Sequence, residues 1–158
     1  MYADADFTTV TITLTASSGD FGPRNLTLTP DSNIIPIGRA SKSVNKNLLG
    51  AVDNAWFDSP VMSRTHAQMS LKSDNDESVR VTCKPAMVDL TNILSQVVSI
   101  KELGSMHGTC LNGKRLVKNV ETRVVDGDVL VFGTEVKREK DVFPACTFQA
   151  NLSFAPYK

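Results

Sequence analysis

The run Thr9-Val10-Thr11-Ile12-Thr13-Leu14 sets Val10, Ile12 and Leu14 on one side of an extended chain and threonines on the other. A period of two suits a strand with one face buried and one face wet, and no helix can use it. Further short runs rich in Val, Ile, Thr and Phe follow at 25–28, 34–37, 67–71, 79–83, 97–102, 129–132, 134–137 and 146–154. Gly, Pro, Asp, Ser and Asn separate them. Many short strands at close spacing predict an all-β fold of the sandwich type. Two stretches break the pattern. Residues 45–57 hold Leu48, Leu49, Val52, Trp56 and Phe57, too apolar for a plain linker and long for a loop inside a compact domain. In 84–96, residues 87–94 read equally as a short helix or a strand extension. No repeat, low-complexity tract or linker divides the chain, so 1–158 reads as one domain, and its two ends read as a cut from something larger.

Charge and cysteine content narrow the function classes. Lys plus Arg and Asp plus Glu each total 17, and a chain without basic excess argues against direct nucleic-acid binding. No stretch approaches the roughly 18 apolar residues of a membrane span, and the acidic start is not a signal peptide. Three cysteines, Cys83, Cys110 and Cys146, have no CxxC spacing; an odd set of this kind reads as reduced thiols in an intracellular protein. The sequons at Asn25 and Asn151 carry no weight in that setting.

The chemistry gathers where strands end. Gly38-Arg39 follows the apolar run ending at Ile37, and Ser63-Arg64-Thr65-His66 precedes the strand at Ala67. Gly104-Ser105-Met106-His107-Gly108-Thr109 follows the strand ending near Leu103. Asn112-Gly113 comes next, and Asp126-Gly127-Asp128 leads into Val129-Leu130-Val131-Phe132-Gly133. Arginine's planar fork matches phosphate oxygens. A serine hydroxyl and free loop amides add donors, and glycines let backbone approach a ligand. Such a cluster suits a phosphate dianion and needs no catalytic base, metal or cofactor.

The order GR, SRxH, GSxxGT, NG and GDVLxFG resembles the forkhead-associated (FHA) family, over about residues 34–133, with flanking strands at 9–28 and 134–154. That resemblance implies an eleven-stranded β-sandwich of the FHA/SMAD-like kind whose apical loops bind phosphothreonine in a partner peptide, with no enzymatic activity. It implies that Arg39 and Ser63 contact the phosphate and that Arg64 adds phosphate or peptide contacts. His66 and Asn112 would brace the loops, and Gly38, Gly108, Thr109 and Gly113 would support their turns. His107 stands where the family usually has an asparagine that bonds the peptide backbone; its neutral ring offers one donor and one acceptor and could substitute. Met106 stands where Ser or Thr is common and cannot donate, so Ser105 is the candidate to compensate. The SMHGT loop and the long 45–57 stretch are similar to fungal nuclear FHA proteins of cell-cycle transcription and chromatin. The implied partners are phosphothreonine-bearing protein segments in the nucleus, and the sequence sets no oligomeric state.

Other readings of the same residues are weaker. A β-sandwich scaffold could bind partners without phosphate, through a sheet face or through residues 45–57, with Trp56 and Phe57 as anchors. The run 108–115 nearly spells a phosphate-binding P-loop, but Arg115 stands where magnesium needs Ser or Thr. Ser63 and His66 lack an oriented acid and a GxSxG elbow, which argues against a hydrolase. The histidines and cysteines lack the close pairs of a zinc site.

Overall fold

The computed structural model describes residues 8–17, 21–42, 45, 48–73, 79–80 and 96–156. One six-stranded sheet runs in the order β2 (Arg24–Leu28), β1 (Thr8–Ala16), β14 (Cys146–Pro156), β11 (Val129–Phe132), β8 (Thr109–Leu111) and β9 (Lys114–Arg115). The second runs β4 (Ala55–Phe57), β3 (Ile34–Arg39), β5 (Ala67–Ser73), β7 (Gln96–Glu102), β10 (Glu121–Val124) and β6 (Val79–Arg80). A separate two-stranded ribbon joins β12 (Val136–Arg138) to β13 (Asp141–Phe143). Most pairs are antiparallel; β3–β4 and β10–β6 are parallel. No described helix is long and apolar enough to cross a membrane.

The core lies between the two large sheets and is built by alternation. Val10, Ile12 and Leu14 of β1 are fully buried, and so are Leu26 and Leu28 of β2, Leu130 and Phe132 of β11, and Phe148 and Ala150 of β14. Facing them are Ile37, Phe57, Met69, Val98, Ile100 and Val124 from the second sheet. Phe57 and Phe148 meet across the gap with ring centroids 4.7 Å apart, and Phe21 stands edge-on to Phe57 at 5.4 Å. Aromatic pairs at these separations add packing energy beyond the area they bury.

The all-β sandwich is the architecture the alternation predicts, with finer division. Fourteen strands are assigned among the described residues, because short pieces such as β4, β9, β12 and β13 count separately. The strand expected at 134–137 starts later, as β12, and leaves the sandwich for the ribbon. Of the 79–83 strand only Val79–Arg80 is described; residues 84–95 and Cys83 lie outside the described residues.

Residues 48–57 have a built structure. Arg24 Nη1 donates to the carbonyls of Ala51 (2.6 Å) and Asn54 (3.1 Å) and to Asn54 Oδ1 (3.1 Å), while its guanidinium carbon sits 4.7 Å over the Phe57 ring. Asn54 Oδ1 also accepts from the backbone N–H of Ala51 and Trp56. The stretch is thereby pinned to the start of β2 and ends in β4, whose Phe57 is 0% exposed. Phe57 is therefore a core residue and cannot anchor a partner. Trp56 is half-buried, with its ring against Gly38. The exposed apolar side chains of this stretch are Leu49 and Val52.

Candidate functional site

Strand register brings the sequence clusters to one end of the sandwich. Ile37 pairs with Ala67, and Ala67 with Glu102; in the other sheet Thr109 pairs with Phe132, and Phe132 with Cys146. The loops that follow Arg39, precede Ala67, follow Glu102 and follow Phe132 consequently share one rim. Backbone bonds then tie loop to loop. Arg39 N–H donates to Ser63 O (2.9 Å), His66 N–H to Ile37 O (3.0 Å), Leu103 N–H to His66 O (3.0 Å) and Gly133 N–H to Gly108 O (2.9 Å).

Gly38 makes the first of these contacts possible. A Cβ there would lie 2.1 Å from the Arg64 carbonyl oxygen and 2.8 Å from the Trp56 ring. Only glycine lets β3 run this close beneath the Ser63–Arg64 backbone.

His66 is the keystone. It is 0% exposed; its Nδ1 accepts from the Ser63 N–H at 3.1 Å, and its Nε2 lies 2.9 Å from Gly108 O. Because Nδ1 faces a donor, the proton sits on Nε2 and the ring is neutral. The imidazole thus joins the loop before β5 to the loop before β8, and it stands edge-on to Phe132 at 5.5 Å. Burial lowers its proton affinity, against the opposing pull of Gly108 O and Glu102.

The sign of the resulting pH effect follows from proton counts. The folded ring releases its proton at lower pH than the ordinary 6.5, so below that value the unfolded chain binds the extra proton and stability falls. Protonation would also aim an N–H at the Ser63 N–H. We expect unfolding free energy to decline between pH 7.5 and 5.5 by at most about 1.4 kcal/mol per pH unit below 6.5, and His66→Gln to remove that slope. Urea melts across this window read it out; equal slopes for both proteins would refute the assignment. Glu102 does not contribute in this range, because its carboxyl ionises below it in both states.

Glu102 was not among the sequence candidates. It is 4% exposed, at the end of β7, and accepts from the N–H groups of Gly104 (2.6 Å) and Ser105 (2.9 Å) and from the Ser105 hydroxyl. Burial pushes its carboxyl up, and the Ser105 and Gly104 bonds outweigh that, leaving it below the ordinary carboxylate value. Ser105 Oγ in turn accepts from Gly108 N–H at 2.9 Å. Its hydroxyl hydrogen is therefore used inside the loop and is not free to reach a peptide. An acid ending an apolar strand, just before Gly-Ser, is the one sequence signal that could have pointed to this carboxylate.

The groups left for a ligand are then few. Ser63 Oγ accepts from Met106 N–H at 2.9 Å, which leaves the serine O–H free to donate outward. Arg39 is half-buried and Arg64 exposed, and among the described residues neither guanidinium forms an ion pair or hydrogen bond. His107 is half-buried in the loop before β8, and Met106 next to it stands 80% exposed. Asn112 and Gly113 lie elsewhere. With φ values of 50° and 84° they form the two-residue turn of the β8–β9 hairpin, as Asn-Gly pairs do. Asn112 bonds Asp128 Oδ1 and the Val129 N–H, each at 2.9 Å, at the far end of β8 from Thr109. The P-loop-like run is this hairpin, with no helix after it. Among the described residues no group of three or more His, Cys, Asp or Glu could hold a metal.

Thr109 supports its turn through backbone only. Its carbonyl accepts from Leu116 N–H at 2.9 Å, whereas its hydroxyl is buried with no partner among the described residues. Thr109→Val should therefore stabilise the fold by about 1 kcal/mol, since it removes an unpaired buried hydroxyl at nearly constant shape. A drop in melting temperature would show that the hydroxyl is bonded.

Comparison with known proteins bears on the family and the fold. The FHA domain family's sequence profile matches residues 35–133. The chain belongs to the FHA domain family. An uncharacterized protein of Schizosaccharomyces pombe, C3H7.13, is 29% identical over 135 residues, which span 83% of this chain and 37% of that protein. The chain thus covers little more than a third of that relative's length. Its fold is similar to the N-terminal FHA domain of Saccharomyces cerevisiae Rad53p in complex with a phosphothreonine peptide (TM-score 0.54, 15% identity, 90% of this chain and 94% of that one). It is also similar to full-length yeast Pml1p (0.55, 16%, 98% and 87%). A third likeness is to the yeast Dun1 FHA domain bound to a doubly phosphorylated peptide (0.52, 20%, 100% and 82%). At these identities the likeness establishes the fold of this FHA domain; its binding chemistry rests on its own residues.

Proposed function

We propose that this FHA domain is a reversible reader of phosphothreonine in an extended segment of a partner protein. The observation that carries the reading is the pairing of Arg39 with Ser63. The Arg39 N–H bonds the Ser63 carbonyl, the Arg39 guanidinium has no partner among the described residues, and the Ser63 O–H, whose oxygen accepts from Met106 N–H, is left to donate. Arg39 supplies a planar fork for two phosphate oxygens and Ser63 a third donor. Arg64 adds positive charge at the mouth, and His107 offers a donor and an acceptor to the peptide backbone. His66, Glu102, Ser105 and Gly108 hold the loops in register, so little ordering remains to be done on binding. The likeness in fold to the FHA domains of Rad53p and Dun1, each in complex with a phosphorylated peptide, supports the reading of a phosphopeptide-binding module.

Titration calorimetry tests this with one peptide in three forms. We expect the phosphothreonine form to bind with a dissociation constant of about 1–10 µM, the phosphoserine form more weakly, and the unmodified form not measurably. Equal binding of the unmodified and phosphorylated forms would favour the phosphate-independent scaffold instead.

A further inference from the structure

Among the described residues, the outward face of the first sheet carries no charge. The residues of β1 that alternate with its core positions are threonines, and strand register extends them into rows. Thr11 lies between Thr27 of β2 and Ser153 of β14, and Thr13 lies between Asn25 and Asn151. Further across, Gln149 pairs with Val129, and Val131 lies between Thr147 and Cys110. These outward residues are half-buried or exposed, and so open to a partner. None is Lys, Arg, Asp or Glu, in a chain where 22% of residues are. Charge returns only at the margins, with Arg115 on the edge strand β9 and Asp126 in the turn before β11. The second sheet is the contrast. Its outward positions hold Lys72, Lys101, Glu121 and Arg123. A solvated surface ordinarily keeps such charges, which also deter self-association. Their depletion marks the centre of an interface.

We propose that this face pairs with the same face of a second copy of the chain, forming a two-fold dimer. Three observations select that occupant. Hydroxyl and amide side chains both donate and accept hydrogen bonds, so the face is complementary to itself. A charged partner surface would lose water there and gain no counter-charge. The patch also has the size a dimer needs. Four inter-strand spacings of about 4.8 Å and the nine residues of β1, at about 3.3 Å each, span about 20 by 30 Å. That is the scale of the roughly 800 Å² that each partner buries in a stable complex. Finally, the formal net charge is zero, so two copies approach without long-range repulsion. Threonine methyls, Val129 and Val131 supply apolar contact between the paired sheets. The phosphate loops lie at one end of the sandwich, off this face, and stay open in the pair.

Sedimentation equilibrium on the whole chain, without peptide, is the test. The mass is expected to rise from one chain to two between about 1 and 500 µM, with a dissociation constant of about 10–100 µM. Thr13→Lys and Asn151→Lys each set an ammonium at the centre of the patch, and each should weaken pairing at least about tenfold. Gln68→Lys adds the same charge to the outward side of the second sheet and should pair as the wild type does. Thermal melts check that each variant folds. A wild-type mass of one chain throughout overturns the proposal, whether the face then takes another uncharged partner or none. A dimer that both face variants retain overturns it too, because another surface makes that dimer. Calorimetry adds a separate arm: Thr13→Lys should bind the phosphothreonine peptide with wild-type affinity. A loss of binding there would put the face within the peptide site and overturn its assignment to a second copy.

Discussion

Arg39→Ala is expected to weaken phosphothreonine-peptide binding about 100-fold while the domain still unfolds in one cooperative transition. The magnitude follows from removing a guanidinium that would make two charge-assisted bonds to one phosphate. The intact stability follows from the free protein, in which that guanidinium bonds nothing among the described residues, so its loss leaves no buried group unpaired. Arg39→Lys should recover only part of the affinity, because an ammonium keeps the charge and loses the fork. Calorimetry with wild type, Arg39→Ala and Arg39→Lys decides the matter, alongside thermal melts of all three. An unchanged dissociation constant for the alanine variant would remove Arg39 from the site, and with it the proposed function.

The second large effect is on the fold itself. Gly38→Ala should destabilise the domain by about 3 kcal/mol, the upper range for overpacking a closed position. A Cβ 2.1 Å from the Arg64 carbonyl oxygen cannot be relieved by a side-chain rotation, since the obstructing atom is backbone. Relief requires moving the Ser63–Arg64 segment away from β3. That strains the Arg39 N–H bond to Ser63 O and the His66 N–H bond to Ile37 O. The same displacement would part Arg39 from Ser63, so phosphopeptide binding should fall even at temperatures where the variant remains folded. Urea titration measures the first effect and calorimetry at 10 °C the second. A variant within 0.5 kcal/mol of wild type would mean that the loop yields freely, and that the close approach is not what sets the site.

The difference between Gly38 and Arg39 separates two kinds of contribution within one dipeptide. Glycine acts through the backbone and governs whether the rim assembles. Arginine acts through its side chain and governs what the assembled rim can hold. Ser63 does both: its carbonyl and hydroxyl oxygens accept from the chain, while its hydroxyl hydrogen remains for a ligand.

What could be read from the residues alone was whatever depends on neighbours in the chain. The alternation of Val10, Ile12 and Leu14 announces a strand because side chains two apart share a face whatever the strand pairs with. The succession of Gly38-Arg39, Ser63, His66 and Gly108 announced the FHA family because their order and spacing along the chain carry its motifs. β4 was not legible: it has three residues, lies inside a stretch that looked like an excursion, and exists through parallel pairing with β3. Glu102 and Arg24 were not legible either. A lone acid or arginine in sequence is most often a solvated side chain, and only burial by distant segments makes Glu102 a loop anchor and Arg24 the pin of residues 51–54. Nor could the residues alone tell that Ser105 turns its hydroxyl inward to Glu102 while Ser63 keeps its own free.

By itself, then, the sequence determined the class of fold and the set of groups able to meet a phosphate, since both are written in local spacing and side-chain chemistry. The tertiary structure decided which of those groups remain available. Hydrogen-bonding capacity is finite, and strand register determines which donors and acceptors the protein satisfies internally and which it leaves for a partner.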